Sequence, residues 1–223
     1  MAYTFDRTTT HKYLQVTGPN WYATNFFTIS LWFRLADVTN NHVLLRLNHA
    51  TGTGANNFYL RARGDQAGDY VQWVSQVNGT EYTATTTTGY SANTWHHVLV
   101  TANRTGINIA ISLDGAAAVS TSSVKFPSTA LSYFQVSGDN AFVPAAIGSI
   151  AEVGLWDAIV AGGALGSLDG SASLAKGFTP WLAQPKNLLN YWPLVRGLQD
   201  IRGAQTLTAY NTPTVGDHPR VIL

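Results

Sequence analysis

The sequence contains no cysteine, one methionine and only two glutamates, Glu81 and Glu152. Without cysteine there is no disulfide framework and no thiolate metal site. Charge is scarce as well: Asp, Glu, Lys and Arg make up 11% of the 223 residues, under half the usual share, and the net charge is +1. Such a chain has no long-range field with which to steer a polyanion, so nucleic acid is not expected as a partner. Met1 to Asp6 has neither the basic region nor the apolar core of a secretion signal. No apolar run approaches the roughly 18 residues that span a bilayer. The expectation is a protein made in the cytoplasm and free of membrane. The sequons Asn78-Gly79-Thr80 and Asn103-Arg104-Thr105 then read as turn sequences.

What is present is apolar and aromatic. A hydrophobic share of 45%, with 12% aromatics, is ample for a core. The surface must be built from Thr, Ser, Asn and Gly, which suits neutral partners such as sugars or other subunits. The most informative stretch runs from Asn93 to Gly115. Val98, Val100 and Ala102 alternate with Leu99, Thr101 and Asn103, and Ile107, Ile109, Ile111 and Leu113 alternate with polar or small residues. A period of two marks a strand with one buried face. Asn103 to Gly106 turns the chain between the runs, and Asp114-Gly115 accepts the positive φ of a tight turn.

The same alternation in Phe27 to Leu35 predicts the longest strand. Shorter runs predict others at 12–17, 43–47, 58–63, 70–77, 81–88, 132–136, 145–147, 150–156, 188–194 and 205–210, with Asn78-Gly79 closing a hairpin. Within 161–176, Leu165, Leu168 and Leu174 predict one short helix, and Pro180, Pro185 and Pro193 predict an extended connector after it. The fold expected is all-β: a two-sheet antiparallel jelly-roll sandwich with one short helix near the C-terminal third. With no repeat and no boundary signal, residues 1–223 form a single domain, and 214–223 read as a C-terminal arm.

Several motifs carry a family likeness. Phe27-Thr28-Ile29-Ser30-Leu31-Trp32-Phe33, Trp95-His96-His97-Val98, Leu113-Asp114-Gly115 and Ile147-Gly148-Ser149-Ile150-Ala151-Glu152-Val153 occur in the order found in laminin G-like domains. The chain therefore resembles the concanavalin A-like lectin and glucanase superfamily, with Ala151 where the last element usually has Asp. The ending, Tyr191-Trp192-Pro193-Leu194, Asp200, Leu207-Thr208 and Asp217 to Val221, resembles stand-alone laminin G-like proteins of bacteriophages. That resemblance implies a virion protein, on the particle surface, decorating the capsid through contacts with capsid or other virion subunits. A homo-oligomer, plausibly a trimer, is implied with it.

Candidate chemistry is thin. Glycoside cleavage needs two carboxyls close together, one of them held protonated. Neither glutamate has an acidic neighbour at i+2, and Glu152 and Asp157 fall on opposite strand faces, so no enzyme is expected. Glu152 reads as a structural carboxylate. Adjacent His96 and His97 point to opposite faces and cannot share an ion. Asp65 and Asp69 offer two loop carboxylates toward calcium, against the six to eight oxygens that ion takes, and a turn explains the same letters. Otherwise no cofactor is expected. The two S-x-x-K matches, at Ser122 and Ser173, lack the partner motifs of an acyl enzyme.

Trp73, Trp95, Trp156 and Trp192 are expected in the core. Trp21, Tyr22, Tyr59, Tyr90 and Trp181 lie in or beside loops, or face away from the core. With Asn56 and Asn57 they form the candidate surface for a glycan or a partner subunit. The alternative to virion decoration is thus a carbohydrate-binding module for cell-surface glycans.

Overall fold

In the strand Phe26–Leu35, Phe27, Ile29, Leu31, Phe33 and Leu35 are all buried in one core, as their spacing predicts. This element is β3 of a computed structural model that describes residues 2–7, 12–17, 25–48, 56–122, 124–126, 132–138, 145–160, 171–195 and 197–221. Before it come β1 (Ala2–Phe5) and β2 (Tyr13–Thr17). After it come β4 (Asn41–Asn48), β5 (Asn56–Arg63), β6 (Tyr70–Val77), β7 (Thr80–Gly89), β8 (His96–Asn103), β9 (Asn108–Leu113), β10 (Val119–Ser122), β11 (Tyr133–Val136) and β12 (Gly148–Trp156). The chain then forms α1 (Ser171–Ala175), α2 (Pro180–Ala183), β13 (Leu188–Trp192), β14 (Thr208–Tyr210) and β15 (Thr214–Gly216).

The strands make two antiparallel sheets packed face to face, the expected sandwich. The eight-stranded sheet runs β10-β9-β8-β3-β12-β1-β15, with β13 also paired to β12. The seven-stranded sheet runs β14-β2-β11-β4-β5-β6-β7. Between them Phe27, Phe58 and Trp73 stack with centroids 5.5 to 6.2 Å apart. Asn78-Gly79 and Asp114-Gly115 turn with positive φ at both residues, as their sequences require.

The outer faces of the two sheets differ. On the eight-stranded sheet Leu99, Trp156, Leu188 and Tyr191 form an apolar patch that Leu174 of α1 and Ala183 of α2 cover. Gly154 permits the approach of α2, because a Cβ there would lie 2.9 Å from Pro180 and 2.7 Å from the Trp156 ring. The helix at Pro180 replaces the expected extended connector: a proline fits the first turn of a helix, where its missing N–H costs nothing. Of the expected helix over 161–176, α1 supplies the end, and 161–170 lie outside the described residues. Trp73, Trp156 and Trp192 are fully buried, but Trp95 precedes β8 and is only half-buried. The expected strand at 145–147 reduces to one bridge between Ala145 and Val43.

β12 is irregular at a decisive point. Ala151 pairs with Trp32 and Gly154 with Ser30, so two residues stand opposite one, and Glu152 takes φ +55°. This bulge shifts the inward phase from Ile150 to Val153 and Leu155. Strict alternation would have driven Glu152 into the core. Instead it accepts a hydrogen bond from Tyr191 Oη and lies 3.0 Å from His218 Nε2. Just before His218, β15 pairs with β1 in register Ala2 with Gly216. Residues 214–221 are therefore an edge strand and a clasp on their own domain, which corrects the expectation of an arm reaching a neighbour. No helix among the described residues is long and apolar enough to cross a membrane.

Two predictions follow from this packing. His218→Ala removes the imidazole that bonds the Pro193 carbonyl and sits 3.0 Å from the buried Glu152 carboxylate, so stability falls by about 1–3 kcal/mol and amide exchange speeds up at Thr214 to Gly216; unchanged exchange would mean the clasp holds nothing. His97 is buried against Ser30, 2.8 Å away, and burial pulls its pKa down to about 4. Unfolded histidine titrates near 6.5. Stability fully present above pH ~6.5 is thus lost as pH falls toward ~4, at about 1.4 kcal/mol per unit of pKa difference. His97→Gln should lose less melting temperature between pH 7 and 4.5 than the parent; equal losses would remove His97 as the cause.

Candidate functional site

The outer face of the seven-stranded sheet is rich in polar side chains, many of them buried, with Gln72, Gln76 and Glu81 at its part-exposed flank. In β5, Phe58, Leu60 and Ala62 point into the core, so Asn57, Tyr59 and Arg61 point out. Pairing aligns these with their counterparts across the sheet. One row runs Gln15, Gln135, Arg46, Tyr59, Val74 and Thr83. The next runs Asn48, Asn57, Gln76 and Glu81.

Several polar side chains on this face hold one another. Gln135 Nε2 donates to Gln15 Oε1 at 2.8 Å, and Asn57 Nδ2 donates to Gln76 Oε1 at 3.2 Å. Arg61 is a hub: it donates to Gln72 at 3.0 Å, to Glu81 Oε2 at 3.0 Å and to Tyr59 Oη at 3.4 Å. Tyr59 in turn donates to Glu81 Oε1. Burial and the neighbouring Glu81 carboxylate push the Tyr59 hydroxyl pKa up, so it stays a donor. Glu81 is thereby fixed through both oxygens while its side chain remains 36% exposed. A carboxylate, amides and hydroxyls held in place on rigid strands can exchange hydrogen bonds with a hydroxylated ligand at little ordering cost.

The predicted contact residues separate on this map. Asn57 and Tyr59 lie on the polar face but are 3% and 4% exposed, so they support Gln76 and Glu81 rather than present themselves. Tyr90 is corrected outright: it sits in the core against Phe33 and His96, its hydroxyl donating to Asp37 O at 3.3 Å. Trp181 is exposed on the other side of the sandwich, under the Arg202 guanidinium. Asn56 pairs with Val77 in β5, and Trp21 and Tyr22 lie outside the described residues. Asp65 is held bidentately by Arg63 at 2.6 and 2.9 Å, which lowers its pKa, and Asp69 occupies a turn with φ +50°. Among the described residues no group of three or more His, Cys, Asp or Glu is placed to share a metal ion.

Sequence reasoning passed over Gln15, Arg46, Arg61, Gln72, Gln76, Glu81 and Gln135. The signal was present: each is the polar member of an alternating strand, and together they make a face. The two glutamates stand on different sheets, Glu81 on β7 and Glu152 on β12, so they cannot form a hydrolytic pair.

A sandwich of two large antiparallel sheets with a hydrogen-bonded polar face is an architecture shared by many binding proteins. Residues 8–161 match the family profile of the concanavalin A-like lectin/glucanases superfamily. The chain belongs to that superfamily. No curated protein sequence matches it significantly. Among solved structures, this superfamily member is similar to a heptameric SAP-like pentraxin from Limulus polyphemus. The TM-score is 0.64 at 11% identity, covering 98% of this chain and 94% of the pentraxin. It is similar to a putative carbohydrate binding protein from Bacteroides ovatus, with TM-score 0.62 and 17% identity; all of this chain spans 61% of that longer one. A sialidase CBM40 from Ruminococcus gnavus, bound to alpha2,3 sialyllactose, has TM-score 0.51 and 14% identity over 62% of this chain and 79% of its own. These likenesses establish the fold.

Tyr59→Phe keeps the buried ring and deletes the hydroxyl that links Arg61 to Glu81. Urea unfolding should show a loss of about 1–2 kcal/mol; a neutral result would mean that Arg61 alone fixes Glu81.

Proposed function

We propose that the protein is a non-catalytic glycan-binding module whose contact surface is the exposed flank of the polar face, at Gln72, Gln76 and Glu81. The observation that carries this reading is the fixed, part-exposed Glu81 carboxylate at the end of a hydrogen-bonded network. Sugar hydroxyls offer donors to such an acceptor and acceptors to the amides beside it. At the exposed flank Arg61 offsets Glu81, and that favours neutral glycans. The carbohydrate-binding proteins among its structural neighbours support the same class.

The finer reading, decoration of a phage capsid, rests on the likeness of the chain's ending to phage-encoded laminin G-like proteins. It loses the arm, because residues 214–221 pack on their own domain. A virion role would have to use other surfaces, and a glycan-binding module carried on a particle satisfies both readings.

The test is a neutral-oligosaccharide array followed by calorimetry on hits. Glu81→Ala should weaken retention about tenfold or more while the protein stays folded, with stability falling by about the 1–3 kcal/mol that its bonds from Tyr59 and Arg61 supply. No binding to any neutral glycan, or binding indifferent to Glu81→Ala but lost in Trp21→Ala, would overturn this surface.

A further inference from the structure

The opposite side of the sandwich carries a cavity of about 520 Å³ that the glycan reading does not use. It opens where α2, β13 and residues 218–221 meet over β12, and Glu152 lines it beside Tyr191, Thr179 and His218. The rest of its wall is apolar, including Trp181, Val195, Ile201 and Val221. Trp181, Val195 and Ile201 are 44%, 46% and 57% exposed. They are three of only eight large apolar side chains that stand exposed among the described residues, and they gather at one mouth. A concentrated apolar patch around a cavity of this size is the usual form of a small-ligand site.

Its polar chemistry is narrow. Glu152 is 2% exposed, accepts one hydrogen bond from Tyr191 and lies 3.0 Å from His218 Nε2. An ionised carboxylate has about four acceptor directions, so capacity remains on the cavity side. Every atom that faces the His218 nitrogens is also an acceptor: Glu152 Oε1, the Pro193 carbonyl at 3.3 Å and the Pro219 carbonyl at 2.8 Å. The site therefore asks a ligand for a donor, not an acceptor. The Arg202 guanidinium stands at the mouth, 5.4 Å from the Trp181 ring centre, and opposes entry of a cation.

We infer that this cavity binds a neutral, compact, apolar ligand headed by a single hydroxyl or N–H group, which donates to Glu152 while its body packs on Trp181 and Ile201. The site is independent of the glycan surface, which lies on the other sheet.

The full-length chain can be titrated with indole and with 1-methylindole, which differ by one N–H donor, following the Trp181 indole and the Val195 and Ile201 methyl resonances. Indole should give saturable shifts and bind at least about tenfold tighter than its methylated partner, the discrimination expected of a hydrogen bond to a charged group. Ile201→Arg, at an exposed rim position that leaves the core untouched, should abolish the shifts. Glu81→Ala should leave them unchanged, so this proposal and the glycan reading fail separately. Absence of saturable shifts, equal affinity for the two indoles, or binding that survives Ile201→Arg would overturn the site. Tighter binding of benzylamine than of indole would overturn the neutral class.

Discussion

The buried carboxylate of Glu152 is the constraint on which the far side of the sandwich depends. A non-glycine residue at φ +55° in the middle of a strand is unfavourable on its own, by roughly 1–2 kcal/mol. The fold tolerates it because the bulge does two things. It turns Val153 and Leu155 into the core, and it turns a carboxylate away from the core toward the Tyr191 hydroxyl, which donates to it, and the His218 imidazole 3.0 Å away. The tyrosine comes from β13 and the histidine from the C-terminal segment. A single local irregularity thus fixes the path of the last quarter of the chain and leaves a recess between the parts it gathers.

The two outer faces solve the same problem in opposite ways. A sheet with both faces available must cover or satisfy each of them. The eight-stranded sheet carries an apolar patch outside, covered by α1 and α2, two helices of five and four residues. The seven-stranded sheet is largely polar outside, and several of its amides, the Arg61 guanidinium, the Tyr59 phenol and Glu81 bond one another across strands. Low overall charge fits this arrangement, since the network relies on amides and hydroxyls with only two glutamates in the chain.

The sheets were legible in the sequence wherever alternation was clean. β3, β8 and β9 follow from Phe27 to Leu35 and Val98 to Leu113, and the turns at Asn78-Gly79 and Asp114-Gly115 follow from residues that accept positive φ. Three features were hidden for identifiable reasons. The bulge in β12 breaks the period of two without any glycine at the residue that bends, so Glu152 looked like an ordinary strand position. α2 begins with a proline, which reads as a connector unless the next turn is known to be helical. β1 and β15 are four and three residues long, too short to show a period, and each exists only because the other pairs with it or with β12. The candidate site was half visible. Asn57 and Tyr59 were placed on the right face, but exposure belongs to their neighbours Gln76 and Glu81, and burial of that kind is set by tertiary packing.

The pairing of β1 with β15 has a consequence for how the molecule is made. It joins Ala2, Tyr3 and Thr4 to Gly216, Val215 and Thr214, among the most non-local contacts in the described fold. The N-terminal side of a chain leaves the ribosome first, so β1 waits for its outer partner until β15 has been made. The central hairpins can assemble earlier during translation, but this edge closes only once β15 is available. Topologies that depend on such distant pairings fold slowly. Until that closure, β1 offers an unpaired edge to any neighbouring chain, which makes the newly synthesised protein most open to aggregation at its N-terminal strand.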